Sequence, residues 1–159
     1  MDGLPIRKYP DPILRKKARR VERVTDLERK LLLQMADTMY LNSGVGLAAN
    51  QVGIDKQLVV IDIGSGLIKL INPVIIRKNG SAIQEEGCLS VPENCIKIKR
   101  AKEITVKHLD DDGKDCRLRA DGLLARAIQH EVDHLSGKLI IDYLNPIKRL
   151  FLKKRCSLY

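Results

Sequence analysis

The stretch QHEVDHLSG, Gln129 to Gly137, sets His130 and His134 four residues apart, with Glu131 directly after the first histidine. On a helix, residues i and i+4 share a face, so both imidazoles can reach one ion while Glu131 stands beside a water held there. That is the mechanical content of the HExxH pattern. The same residues would also suit a partly exposed helix whose histidines bond to their neighbours. A third ligand separates the two readings. In zinc peptidases of the HExxHxxGxxH type the third histidine lies six residues past the second, and here that position is Ile140. No Glu follows Glu131, and Asp142, the only carboxylate side chain after His134, comes too soon past the helix end. The third ligand is therefore sought upstream, where His108, Cys88, Cys95 and Cys116 stand open as candidates.

Cys88 lies in EEGCLSVPE. Gly87 before it permits an unusual backbone conformation, and Pro92 keeps the following chain extended. A thiol on such a segment can point at a metal and leave the next backbone N–H free for a ligand. Without the HExxH stretch, a buried cysteine beside a strand would be the better reading. A third stretch, GVGLAANQ from Gly44 to Gln51, contains G-x-G-x-x-A. A dinucleotide site needs a strand before that fingerprint and a helix after it. Here a helical pattern precedes it and an extended segment follows. The glycines suit close approach of a substrate backbone, with the Gln51 amide nearby; a plain helix-to-strand turn is the alternative.

The elements that must hold these residues follow from periodicity. Prolines open YPDPILRKKA, and Asp11 can cap the short turn after it. Thr25 and Glu28 form a capping box for an amphipathic helix to about Leu41, with Leu27, Leu31, Met35 and Met39 as its core stripe. LVVIDI and LIKLI flank GSG as a hairpin, and ITVKHL and DCRLRA form another turning at Asp112-Gly113. CIKIKR reads as a further strand. A second helix runs from near Asp121 to about Leu135 and stops at Gly137. A last helix follows Asn145-Pro146. Segregated strands and helices argue for an α+β fold rather than a doubly wound parallel sheet.

A chain of 159 residues suits one domain with its own core. Its apolar runs are far shorter than the roughly 20 residues that span a bilayer. The basic N-terminus has no apolar stretch behind it, so no secretory signal is expected and the cytoplasm is the expected compartment. There the four cysteines, which form no CxxC pair, are expected as thiols. Net charge is +9, clustered at Arg7 to Lys30 and Lys148 to Arg155. Such charge suits solvated helix faces or a large anionic partner such as a ribosome. Aromatic residues are only 3%, with no Trp, which argues against a base-stacking platform.

GVGLAANQ, EGCLS and QHEVDH, in that order, resemble the peptide deformylase family, whose stretches read G-x-G-L-A-A-x-Q, E-G-C-L-S and Q-H-E-x-D-H. YPDPILR, LINP and ADGLLARAIQHE are similar as well, so the likeness covers about Arg7 to Arg155. Three motifs in series are far more specific than any one. The resemblance implies a small single α+β domain over 1–159. Its central HExDH helix is surrounded by mostly antiparallel sheets, and 146–159 form a basic C-terminal helix and tail. It implies Cys88, His130 and His134 as ligands of one divalent ion, Fe(II) in the cell with Zn, Ni or Co as alternatives. The implied reaction is hydrolysis of the formyl group, as formate, from the N-terminal formyl-methionine of new polypeptides. Glu131 is then the proton acceptor and donor, while Gln51 and the Leu89 N–H steady the oxyanion together with the ion.

By the same resemblance, Gly46 bonds the substrate backbone, and the methionine pocket forms near Gly44, Val45, Leu123, Ala127 and His130. Glu86, grouped with these substrate-site residues, matches the family Glu that pairs with an Arg, here Arg100. Asp133 is implied either to support the metal ligands from behind or to be structural. Cys95 departs from members that carry an Arg facing the peptide, and Arg126 either flanks the pocket or points to solvent. A monomer acting on nascent chains is the implied setting, and the bacterial cytoplasm the implied place, with an organellar protein whose presequence has been trimmed as the alternative; the charge of the C-terminal helix suggests docking on the ribosome. Two other classes are weighed against this. A general metallopeptidase would not need Cys88 or Gln51. A ribosome- or RNA-binding domain with a structural metal would close its fourth position, His108 being the natural ligand.

Overall fold

The first helix of the computed structural model, α1 (Asp26–Leu41), begins where Thr25 and Glu28 cap each other reciprocally. The structure describes residues 3–156, with side chains described as far as Phe151, so Cys156 as a thiol and the tail after it lie outside the described residues. Before α1, a short 3-10 turn at Pro12–Arg15 is capped by the Asp11 side chain, which accepts the Ile13 N–H. After α1 come β1 (Gly46–Ala48), a 3-10 turn at Ala49–Val52, β2 (Leu58–Ile61) and β3 (Ile68–Asn79). Then follow β4 (Ala82–Cys88), β5 (Val91–Arg100), β6 (Glu103–Leu109) and β7 (Asp115–Asp121). The chain ends through α2 (Gly122–Leu135), a 3-10 turn at Ile140–Tyr143 and α3 (Pro146–Cys156).

All strand pairings are antiparallel, and the fold is α+β. Five strands form one sheet in the order β1-β2-β3-β6-β7, while β4 and β5 pair only with each other. β2 shows why helices cover both faces of the large sheet. Its four residues are all buried, and successive side chains point to opposite sides. Leu58 and Val60 pack with Leu32, Met35 and Met39 of α1. Val59 and Ile61 pack with Ala125, Ile128 and Leu135 of α2. A third cluster joins Leu14, Ile96, Ile98 and Ile140, seating the small sheet.

The α1 stripe differs from the one expected. Leu27 is 56% exposed, and the buried face runs Glu28, Leu32, Met35, Ala36, Met39. Those positions keep a true 3.6 period, from which Leu27 stands about 100° away. Both hairpins form, with Gly113 at φ 80° in the second. β4 had no signal of its own: of AIQEEGC only Glu86 is buried, so no apolar alternation marks it. CIKIKR is the second half of a longer strand that begins at Val91.

Candidate metal centre and active site

α2 presents His130 and His134 one turn apart, and β4 ends on Cys88. The three donor atoms lie within 4.8 Å of one another, the only such His, Cys, Asp and Glu group among the described residues. Cys88 Sγ is 3.2 Å from His134 Nε2, which is 3.2 Å from His130 Nε2. Tetrahedral ligands about 2.0–2.3 Å from an ion stand about 3.3–3.6 Å from one another, so one thiol and two imidazoles at these separations fit a single cation. The other upstream candidates are elsewhere. His108 Nδ1 faces the Leu109 carbonyl, Cys116 bonds Asp110, and Cys95 is exposed. Asp142 is held by Arg15 and the Leu139 N–H.

Around the three donors the charges are arranged on purpose. Glu86 Oε2 faces His130 Nδ1 at 2.9 Å, which leaves Nε2 of that ring free toward the centre. Burial works to raise the Glu86 carboxyl, but hydrogen bonds from Arg100 and His130 outweigh it and hold it at about 2. Burial likewise works against a proton on His130, yet Cys88 and Glu86 push it up to about 10, while burial and the His130 charge hold His134 well below its ordinary value. Metal ligands bind deprotonated, so a cation held here would take the place of the His130 proton.

Glu131 is buried beside this group, and its Oε2 has no hydrogen-bond partner. Burial pushes its carboxyl up to about 7 against the His130 charge, the range a proton acceptor and donor needs. A Cβ on Gly46 would stand 2.5 Å from Glu131 Oε1, so a side chain there would have to displace the carboxylate. Gln51 is held by its 3-10 turn. Its Oε1 accepts the Ala48 N–H at 2.9 Å, which leaves Nε2 directed at Cys88 Sγ and Ser90 Oγ, 3.6 and 3.2 Å away.

A cleft of about 390 Å³ opens over these groups. Gly44, Val45, Gly46, Leu89, Leu123 and Ala127 all line it. Val45 and Leu123 are about half exposed at its mouth, at 47% and 52%. Glu86 lines it too, but each of its carboxylate oxygens accepts two hydrogen bonds from protein groups. The family model of polypeptide deformylase matches residues 4–150. The chain belongs to the peptide deformylase family.

A curated peptide deformylase from Halothermothrix orenii is 54% identical over 144 residues, 89% of this chain and 94% of that protein. One from Syntrophobacter fumaroxidans is 50% identical over 96% of this chain and 92% of its own. Among solved structures, a peptide deformylase from Legionella pneumophila superimposes with a TM-score of 0.92 at 42% identity, covering 98% of this chain and 94% of that one. The Ehrlichia chaffeensis peptide deformylase in complex with actinonin gives 0.93 at 38%, covering 99% and 97%. Peptide deformylases are metal-dependent hydrolases that remove, as formate, the formyl group from the N-terminal formyl-methionine of newly made polypeptides, and this deformylase does so. No helix among its described residues is long and apolar enough to cross a membrane.

The deformylase carries features around its site that sequence reading left unassigned. Arg126 is buried and bonds Glu86, so of its two expected settings the solvent one is not seen. Tyr143 and Asp133 bond each other and both bond Arg100. Ser90 is fully buried against Gln51. Arg126 had a readable signal, being four residues before His130 on the same helix face. Tyr143 had none, because its partners are brought together only by the return of the chain after α2.

Proposed function

We propose that Cys88, His130 and His134 hold one divalent ion, Fe(II) in the cell with Zn, Ni or Co able to replace it, and that Glu131, Gln51 and the Leu89 N–H act beside it. One observation carries the reading: a thiol and two imidazoles converge next to a buried carboxylate without a partner, at the floor of a substrate-sized cleft. Such an ion would supply Lewis acidity, polarising the formyl carbonyl and lowering the pKa of a water so that it can lose its proton and act as the nucleophile. Glu131 takes the proton from that water and returns it to the leaving amine. Gln51 Nε2 and the Leu89 N–H donate to the carbonyl oxygen as it gains charge, each worth about 3 kcal/mol in the transition state. Glu86 acts on His130 rather than on substrate, since both its oxygens are taken.

Strand edges support a role for Gly46 in holding the peptide. The Val45 carbonyl accepts the Asp62 N–H, and paired residues alternate between bonded and non-bonded in an antiparallel ladder. Gly46, opposite Ile61, therefore turns its N–H and C=O to the open edge of β1. β4 also has an open edge, and Gly87 on it lines the same cleft. A peptide extended between them would send its first side chain past Gly44, Val45, Leu123 and Ala127. The whole chain, 1–159, then works as one monomeric deformylase domain in the bacterial cytoplasm.

The basic stretch 146–159 is assigned to the ribosome surface, where formylated chains emerge. α3 leaves Ile147, Leu150 and Phe151 exposed along one side, a face suited to docking. Deleting Lys148 to Tyr159 is expected to weaken co-sedimentation with ribosomes in a salt-sensitive way; unchanged binding would reject the assignment. For the reaction, formate release from formyl-Met-Ala-Ser is measured with anaerobic, Fe(II)-loaded protein beside Glu131→Gln. Release by the first alone is the expected result. Equal release by both would remove Glu131 from its role, and cleavage of unformylated peptide would favour a peptidase.

A further inference from the structure

We propose that Arg126 is a positioning residue that fixes the helix bearing His130 and His134 against the strand bearing Cys88. The inference rests on those three residues being the metal ligands. Arg126, His130 and His134 succeed one another at four-residue spacing along one face of α2. Glu86 and Cys88 lie two residues apart on β4. Between the two elements stands the Glu86 carboxylate. Arg126 Nη1 donates to its Oε1 at 2.7 Å, and His130 Nδ1 meets its Oε2 at 2.9 Å. Two residues of α2, one turn apart, thus grip the two oxygens of one residue of β4.

Arg126 reaches further than this pair. Nη1 also donates to the Ile98 carbonyl of β5 at 3.0 Å, and Nη2 to the Ala82 carbonyl of β4 at 2.8 Å. The guanidinium therefore spans both strands of the small sheet and the carboxylate between the helix and Cys88. This matters because β4 and β5 share no ladder with the five-stranded sheet on which α2 is packed. Strand pairing does not set the spacing between the thiol and the imidazoles; it is left to the apolar cluster that seats the small sheet and to the side chains that bridge the two elements. Arg100 supplies part of that link, with Nε and Nη2 on Glu86 and Nη1 on Asp133. Arg100 sits at the end of β5 and orients the carboxylate plane, whereas Arg126 is the guanidinium that starts from α2 itself. Both are buried, at 6% exposure, so water does not substitute for either.

Charge and shape can be separated. Arg126→Met keeps an unbranched stem as far as the position of Nε and loses every guanidinium hydrogen bond. Arg126→Lys keeps the charge, but one ammonium cannot hold a carboxylate and two carbonyls in a planar fork. Each variant is loaded with Co(II), and the ligand-field and thiolate-to-cobalt absorption bands are recorded with the rate of Co(II) release to a chelator. The Met variant is expected to show shifted bands and release about 10- to 100-fold faster, the usual cost of removing a group that orients a ligand. The Lys variant falls between it and the wild type, and decides the matter if the Met variant does not fold. Met35→Ala, in the core on the far side of the large sheet, serves as a control for general loosening. Wild-type bands and release in a folded Arg126 variant would overturn the inference, as would equally fast release from Met35→Ala. A wild type that binds Co(II) without a thiolate band would instead overturn the ligand assignment itself.

Discussion

Gly46 and Glu131 occupy one volume: the place a Cβ would take on Gly46 is 2.5 Å from Glu131 Oε1. Gly46→Ala must therefore push the carboxylate aside. Displacement of a reacting group by about 1 Å costs about 100-fold in rate, and a loss of that order in kcat/KM for formate release is expected. Co(II) content should stay at wild type, since the atoms nearest that Cβ all belong to Glu131 and not to a ligand. A variant with full activity would show that Glu131 need not sit where it does.

Gln51 is oriented by the Ala48 N–H on its Oε1, so its Nε2 is aimed before any substrate arrives. Gln51→Leu keeps the bulk and removes the donor. Its kcat is expected to fall by about 100- to 1,000-fold with a much smaller change in KM, because the bond strengthens as the oxygen becomes charged. Steady-state kinetics on formyl-Met-Ala-Ser checks this, and a loss confined to KM would move Gln51 from the reaction to ground-state binding.

Chelation should abolish formate release, and Fe(II) or Co(II) should restore it to the wild type. Cys88→Ala should not be restored, having lost one of three donors. His108→Ala should behave as wild type, because His108 bonds the Leu109 carbonyl and is not among the three. Loss of metal from His108→Ala, measured by elemental analysis, would revive a closed structural site.

Glu28 tests a part of the fold remote from the chemistry. Burial works to raise its carboxyl, but hydrogen bonds from Lys56 and Thr25 outweigh that and hold it at about 2. A folded-state value below the unfolded one means the unfolded chain takes up the proton first as pH falls. The stabilisation from Glu28 is thus complete above about pH 4.5 and is lost as pH falls toward 2. Glu28→Gln is expected to cost about 1–2 kcal/mol at pH 7 and to flatten the acid limb of a stability profile from urea unfolding. An unchanged acid limb would place the responsible carboxylates elsewhere.

Sequence periodicity alone determined α1, α2 and the two hairpins β2–β3 and β6–β7, because each carries a regular apolar pattern or a turn signal in its own residues. It determined His130 and His134 as a pair, since four-residue spacing on a helix is a local property. The resemblance of three motifs singles out Cys88 without recourse to geometry. Residue spacing by itself left Cys95, Cys116 and His108 open beside it, because which strand approaches α2 is not a local property. Tertiary structure alone decided that β4 is a strand, since its residues are polar and only its pairing with β5 makes it one. It closed Arg126 onto Glu86 and left Leu27 outside the buried stripe of α1. It alone set Glu86 between two guanidiniums and an imidazole, contacts spanning |i−j| of 14, 40 and 44. Local patterns follow from backbone geometry within a few residues. Long-range charge networks follow from which faces the packed core leaves opposed, and no window along the chain contains that.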